Sequence, residues 1–212
     1  MIKVFGRRNS SSVQLVMWAI NELGLEHERL DYGHGHASTR TDHYLKMNPM
    51  GRVPVIVDGE VCIFESAAIL RYLGAMYGSD AFWPADPARR APLDTWAEWG
   101  KGTFTEAVLA VFVYDVRLSP DTRDPQILRD ASAKLIPLAE MLDQRIGKGP
   151  WLDGNLFSFA DIACGHILHR YYSLDWQRPE LANLSKYYER LQKRPAYRDH
   201  AMVSYEELRG SY

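Results

Sequence analysis

Three short stretches carry side chains able to do chemistry. Asn9, Ser10, Ser11 and Ser12 set an amide and three hydroxyls ahead of an apolar helical repeat. Any of them can cap that helix or aim a donor from its positive end. Glu65-Ser66 places a carboxylate and a hydroxyl at another helix start, as an N-terminal charge and cap or as partners for a charged ligand. Arg40 and Arg52 bracket the turn Asn48-Pro49-Met50-Gly51, each a solvated charge or a partner for a carboxylate. His34, His36 and His43 have spacing that suggests a metal site, but no acidic or thiol partner stands at ligand spacing, so no metal is expected. Cys62 and Cys164 sit inside apolar runs and read as two buried small hydrophobes of a reducing compartment. Ser158-Phe159-Ala160-Asp161 is a capping box with a structural role, and Phe157 and Ile162 form its hydrophobic staple.

Positioning falls to the surrounding elements. Ile2 to Phe5 reads as a strand, and Val13, Val16, Met17, Ile20 and Leu23 recur on one helix face, capped among Ser10 to Ser12 and stopped by Gly24. Glu26 to Tyr32 is a second extended stretch, followed by a loop rich in Gly and His and a short helix ending near Met47. The β-branched runs at 53–57 and 61–64 flank Asp58-Gly59, a strong hairpin signal. Ser66 then precedes a helix bearing Ile69, Leu70, Leu73 and Met76, which Gly78 stops. Residues 80–92, with Pro84, Pro87 and Pro92, read as a linker, and strand alternation disappears beyond them. A long helix carries Trp96, Trp99, Thr103, Phe104, Val108, Val111 and Phe112. Another runs from Asp124-Pro125 to Gly147 with a kink at Pro137. The capping box opens a buried helix through Tyr172, and a last helix, Leu184 to Arg194, is halted by Pro195.

The 212 residues are 46% apolar and 25% charged, the profile of a soluble globular protein. A formal net charge of -2 supplies no global positive field for a nucleic acid or an anionic membrane, so neither partner is expected. Met1 to Arg8 lacks the apolar core of a signal peptide and no run of about 18 apolar residues follows, so a cytoplasmic location is expected.

The α/β unit, a hairpin strand beginning at Val53-Pro54, the Glu65-Ser66 pair and a helical unit with Ser158-x-x-Asp161 resemble, in order and spacing, the cytosolic glutathione transferases over essentially the whole chain. The segment Gly6-Arg7-Arg8-Asn9-Ser10-Ser11-Ser12-Val13 is similar to the serine-type branch, near the theta, zeta and related bacterial classes. Phe5 and Ser10 stand where the other branches carry Tyr or Cys, and Gln14 where theta-like and delta-like relatives often carry Arg. The resemblance implies an α+β fold: an N-terminal thioredoxin-like βαβαββα domain over residues 1–79, the linker 80–92, and an all-α domain over 93–212.

It also implies roles. The Val53 N–H and C=O pair with the cysteinyl backbone of glutathione beside a cis Val53-Pro54 bond, as an edge strand pairs with an added peptide. Glu65 meets the γ-glutamyl ammonium, Ser66 donates to the adjacent carboxylate, and Arg52 and Arg40 take the glycyl carboxylate. Ser10, with Ser11 and Asn9 as alternatives, donates to the sulfur. Phe104, Val108 and Phe112 are expected to line the electrophile pocket or else to belong to the core. The implied activity is a glutathione transferase, a homodimer, that activates bound glutathione as a thiolate for attack on a small hydrophobic electrophile in detoxification. The same site serves a glutathione-dependent isomerase or dehalogenase, and the fold also occurs in binding and regulatory proteins. The joint presence of Ser10, Val53-Pro54, Glu65 and Ser66 favours an enzyme.

Overall fold

The computed structural model describes residues 1–147 and 149–212. Strands β1 (Ile2–Phe5), β2 (His27–Leu30), β3 (Val55–Asp58) and β4 (Val61–Phe64) form one sheet in the order β2-β1-β3-β4. β1 runs parallel to β2 and antiparallel to β3, and β4 is antiparallel to β3. Pairing of Asp58 with Val61 makes Gly59-Glu60 the two-residue turn, one position later than the Asp58-Gly59 signal, with Gly59 at φ +57°. Cys62 corrects one expectation: on edge strand β4 it is exposed, whereas Cys164 is buried and donates to the Trp96 carbonyl at 3.3 Å.

Helix α1 (Ser11–Glu22) crosses from β1 to β2 and is buried from Val13 through Ile20, because it has a core on both sides. On one side are the sheet and α3 (Ser66–Tyr77), and on the other the helical half of the chain. Trp18 seats its ring 4.8 Å from Tyr197 and 5.9 Å from Phe157. Gly165 permits that seat, since a Cβ there would come within 3.1 Å of Trp18 Cη2 and 2.8 Å of Leu191 Cδ1. Arg194 closes the edge of this contact, donating Nε to Glu22 Oε2 at 3.1 Å while its guanidinium lies 3.7 Å from the Phe157 ring. The opposite sheet face is covered by α2 (Asp42–Met47), whose Tyr44 packs with Phe5 and Val55 in a smaller core.

The helical half departs from the sequence reading at its prolines. α4 (Pro87–Trp99) begins within the stretch read as linker, because Pro87 occupies the first helical position and Asp86 accepts from the Ala88 N–H at 2.9 Å. From there helix continues through a π-helical segment (Gly100–Phe104), α5 (Thr105–Phe112) and a second π-helical segment (Val113–Arg117). α6 (Pro125–Ile146) contains Pro137 and is capped by Asp124, which accepts from Gln126 N–H at 2.8 Å.

The helix expected from Ser158 through Tyr172 is two, α7 (Phe159–Gly165) and α8 (Leu168–Ser173). His166 donates its Nδ1–H to the Ala163 carbonyl at 2.9 Å, competing for the acceptor that the Ile167 N–H needs to continue the helix. At the start of α7 the Asp161 carboxylate accepts the Ser158 N–H at 2.8 Å and also the Leu152 N–H and the Tyr187 hydroxyl, each at 3.0 Å. α9 (Ala182–Gln192) ends before Pro195, and that proline opens α10 (Pro195–His200) rather than closing a helix.

Candidate functional site

The loop entering β3 is built to hold one peptide unit rigidly at the sheet edge. Asn48 orders the turn, accepting the Met50 N–H at its Oδ1 (3.0 Å) and the Gly51 N–H at its carbonyl (2.9 Å). Its Nδ2 and the Tyr44 hydroxyl both donate to the Arg52 carbonyl at 2.8 Å. Val53-Pro54 follows as a cis peptide bond. β3 begins only at Val55, which leaves the Val53 N–H and C=O without hydrogen-bond partners among the described residues. A backbone unit held in place with both polar groups free is an open end for an added strand.

Gly6 brings this loop against the start of α1. A Cβ there would lie 2.5 Å from Val13 Cγ2 and 3.3 Å from Val53 Cβ, so only glycine allows the approach. Ser10 is the N-cap of α1 in backbone geometry, with its carbonyl taking the Gln14 N–H at 2.8 Å. Its hydroxyl makes no capping hydrogen bond and remains available at the positive end of a twelve-residue helix. Asn9 differs: its amide donates to Glu207 and its carbonyl accepts from Arg170 Nη2 at 2.7 Å, which ties it to the helical half. Ser11 is buried in the first turn of α1.

Glu65 and Ser66 arrive beside Val53 through the hairpin register. Val55 pairs with Phe64, so the next residues outward are Pro54 and Glu65. Glu65 is exposed, makes no capping hydrogen bond, and holds φ +68° and ψ 109°, the single non-glycine residue with positive φ among those described. An L residue kept in so sparsely populated a conformation suggests that its placement matters more than its comfort. Ser66 is buried at the first position of α3, where amide groups lack intrahelical acceptors. Lys101, from the first π-helical segment, is close enough to feel the Glu65 charge; burial lowers its pKa and Glu65 partly offsets that.

The structure therefore brings Ser10, Arg52 and Val53 around one cleft of about 270 Å³, whose walls also include Arg7, Gly33, His34, Thr39 and Gly51. Arg40 is exposed and packs on Gly51, where a Cβ would meet its Nη1 at 2.7 Å. Phe104, Val108 and Phe112 do not join this cleft: they are 0, 0 and 1% exposed. Their helix face turns toward the core, with Phe104 stacked 5.5 Å from Trp99 and Phe112 5.2 Å from Tyr205. Sequence reasoning missed Arg7, Lys101 and the Tyr44–Asn48 clamp. The turn motif just ahead of Val53-Pro54 was the available signal for the clamp. Among the described residues no group of three or more His, Cys, Asp or Glu could hold a metal, and no helix is long and apolar enough to cross a membrane.

Residues 1–75 match the family model for the glutathione S-transferase N-terminal domain, and residues 125–190 that for the glutathione S-transferase C-terminal domain. Glutathione S-transferase GstB of Escherichia coli K12 is 34% identical over 206 residues, covering 96% of this chain and 99% of that protein. Glutathione S-transferase F14 of Arabidopsis thaliana is 31% identical over 196 residues, covering 85% of this chain and 75% of that protein. Among solved structures, the theta class glutathione S-transferase of Xanthomonas axonopodis pv. citri with glutathione bound superposes with a TM-score of 0.90 at 34% identity, covering 96% of this chain and 98% of that one.

Proposed function

Since the chain belongs to the glutathione S-transferase family of enzymes, we propose that it binds glutathione along the edge from Val53 to Ser66 and ionises its thiol at Ser10. The thiolate then attacks a small electrophile with an apolar body, in a cytoplasmic homodimer. One observation carries this reading: the hairpin register sets a strained, uncapped Glu65 opposite Pro54, next to the unpartnered Val53 backbone, and Val53 shares one cleft with a free Ser10 hydroxyl. The bound glutathione of the Xanthomonas enzyme supports it.

In this arrangement the Val53 N–H and C=O hold the cysteinyl unit, Glu65 pairs with the γ-glutamyl ammonium, and Ser66 donates to the neighbouring carboxylate. Arg52, with Arg40 behind Gly51, receives the glycyl carboxylate. Ser10 then hydrogen-bonds the charged form of sulfur and lowers the thiol pKa. A shift of about two units is worth roughly 2.7 kcal/mol. It also forfeits nearly tenfold of nucleophilicity at a Brønsted slope of about 0.4 to 0.5. Ionisation alone thus contributes about tenfold, and the remainder of the acceleration comes from holding the electrophile beside sulfur.

Ser10→Ala tests the assignment. The pKa of enzyme-bound glutathione, read by ultraviolet difference titration, is expected to rise by about one to two units. Glutathione affinity at high pH should hardly change, and the pH-rate profile should move to the alkaline side. A variant that titrates like the wild type would move the donor to Ser11 or a backbone N–H.

A further inference from the structure

Three arginines converge beside the start of α1, and the described residues give them little countercharge. Arg7 lines the cleft that it shares with Ser10 and Val53, its Nη1 within 3.1 Å of where a Gly33 Cβ would stand. Arg117 approaches from the helical half, at the end of the second π-helical segment. Its guanidinium lies 6.0 Å from the Phe112 ring, the ring that Arg170 also covers, and Arg170 in turn bonds to Asn9, two residues from Arg7; its charge lowers the Arg7 pKa after burial does. Arg170 stands behind them, 4% exposed, bonded to the Asn9 carbonyl and 4.2 Å from the Phe112 ring. Burial, then Arg117, pushes its pKa down to about 9.

None of the three joins an ion pair among the described residues, and the Nε atoms of Arg7 and Arg170 are buried without partners. Arg117 instead faces the Ser211 hydroxyl at 3.5 Å and the Tyr212 ring at 4.7 Å. Tyr212 and then Glu207 oppose the effects of burial and Arg117 on Arg7, and Glu207 already accepts from Asn9. Guanidinium groups gathered in this way, with Arg7 and Arg170 desolvated, leave a standing demand for an anion. Guanidinium groups meet a carboxylate with two parallel hydrogen bonds. The cluster spans both halves of the chain close to Ser10, where a second substrate must sit to reach sulfur.

We infer that Arg7 and Arg117 bind a carboxylate, or an anion of similar size, carried by the second substrate, so that the enzyme selects acidic electrophiles. This rests on the glutathione transferase reading above. In the reading above the glycyl carboxylate of glutathione goes to Arg52, which leaves Arg7 and Arg117 for the electrophile.

4-Chloro-3-nitrobenzoate and 4-chloro-3-nitrobenzamide make a matched pair that differs in charge. With either, the thiolate forms a C–S bond at the carbon bearing chlorine, the C–Cl bond breaks, and chloride leaves with the bonding pair; the thiol proton passes to solvent. The wild type is expected to prefer the benzoate in kcat/KM by about tenfold, although carboxylate activates the ring less than carboxamide. Arg117→Gln and Arg7→Gln should each cut kcat/KM for the benzoate by about 10- to 100-fold. In Arg117→Gln the amide should change by less than about twofold. Arg117→Lys should restore part of the benzoate rate, and Glu207→Gln should raise it. Equal losses on both compounds, or no charge preference in the wild type, would overturn the inference.

Calorimetry separates the sources of the anion. Glutathione affinity unchanged in Arg117→Gln supports the inference; a matching loss would assign these arginines to the carboxylates of glutathione and overturn it. Unreactive 3-nitrobenzoate, titrated without glutathione, should bind the wild type and fail to bind Arg117→Gln. If the wild type did not bind glutathione, the function proposed above would fall, and the 3-nitrobenzoate titration alone would uphold or overturn the arginine site.

Discussion

Replacing Glu65 by glycine and by alanine separates what its side chain does from what its backbone endures. At φ +68° and ψ 109° the residue lies outside the left-handed helical well as well as the ordinary regions. Such a position costs an L residue on the order of 1 to 3 kcal/mol. Glycine removes the clash of Cβ but brings a backbone-entropy cost of about 0.5 to 1 kcal/mol. The Glu65→Gly fold should therefore be between unchanged and about 2 kcal/mol more stable. For a chain of this size that is a Tm rise of up to about 8 °C, at about 2 to 4 °C per kcal/mol. Glu65→Ala keeps the strained backbone. It loses a side chain that makes no capping bond, so its stability should stay within about 0.5 kcal/mol of wild type. Both variants lose the charge-assisted contact to the γ-glutamyl ammonium, about 1.5 to 3 kcal/mol, and glutathione affinity should fall by roughly 10- to 150-fold in each. Thermal denaturation without ligand and calorimetric titration with glutathione give the two readouts separately. A glycine variant that melts below the alanine variant while binding glutathione normally would refute the reasoning, because Glu65 would then serve the fold and not the ligand.

His166 should make the fold acid-sensitive: burial holds its pKa down at about 3 against an ordinary 6.5, so between those values the unfolded chain takes up a proton that the folded chain refuses. Stability is full above the higher value and falls with pH, by about 2 kcal/mol at pH 5; urea midpoints at neutral pH and pH 5 should show this loss in the wild type but not in His166→Asn, and equal slopes would sink it. Val61, Met76 and Tyr77 are 40 to 59% exposed on β4 and α3, apolar surface that a second subunit would cover. Light scattering at micromolar concentration should give twice the subunit mass, and a monomer would remove the dimer.

Where a signal is local in the chain, it is legible from sequence. The repeat on α1 and the hairpin around Gly59 depend on neighbours only a few residues apart, and the structure contains both elements. Ser10, Arg52 and Val53 share a cleft because each stands at an element boundary that local pattern marks. Proline is ambiguous at such boundaries. Asp86-Pro87 and Asp124-Pro125 are the same helix start, yet the first lies between Pro84 and Pro92 in a stretch that reads as a connector, and Pro195 opens a helix where it could equally have closed one. Faces are ambiguous too. The spacing of Phe104, Val108 and Phe112 shows that they share a helix face, but whether that face meets a cleft or a core depends on α8 and the chain end, which pack against it. Cys62 misleads for the same reason, since a β-branched run does not announce which strand will be the edge. The meeting of Arg7, Arg117 and Arg170 has no local trace at all, because each comes from a different region of the chain.

The seat of Trp18 against Gly165 and Tyr197 bears on modular engineering. Helix α1 carries the catalytic candidate at its first turn and lends its flank to both halves of the molecule, so the seam between them is not a clean place to cut. A chimera that grafts a relative's helical half onto residues 1–86, to import a new electrophile preference, would inherit a mismatched socket unless Trp18, Gly165, Tyr197 and the Glu22–Arg194 pair travelled as a set. An ill-fitting socket would tilt α1, and a small rotation along twelve residues swings the hydroxyl at its tip away from sulfur. Swapped specificity and lost turnover would then arrive together in the same hybrid, with no residue of the cleft having been changed.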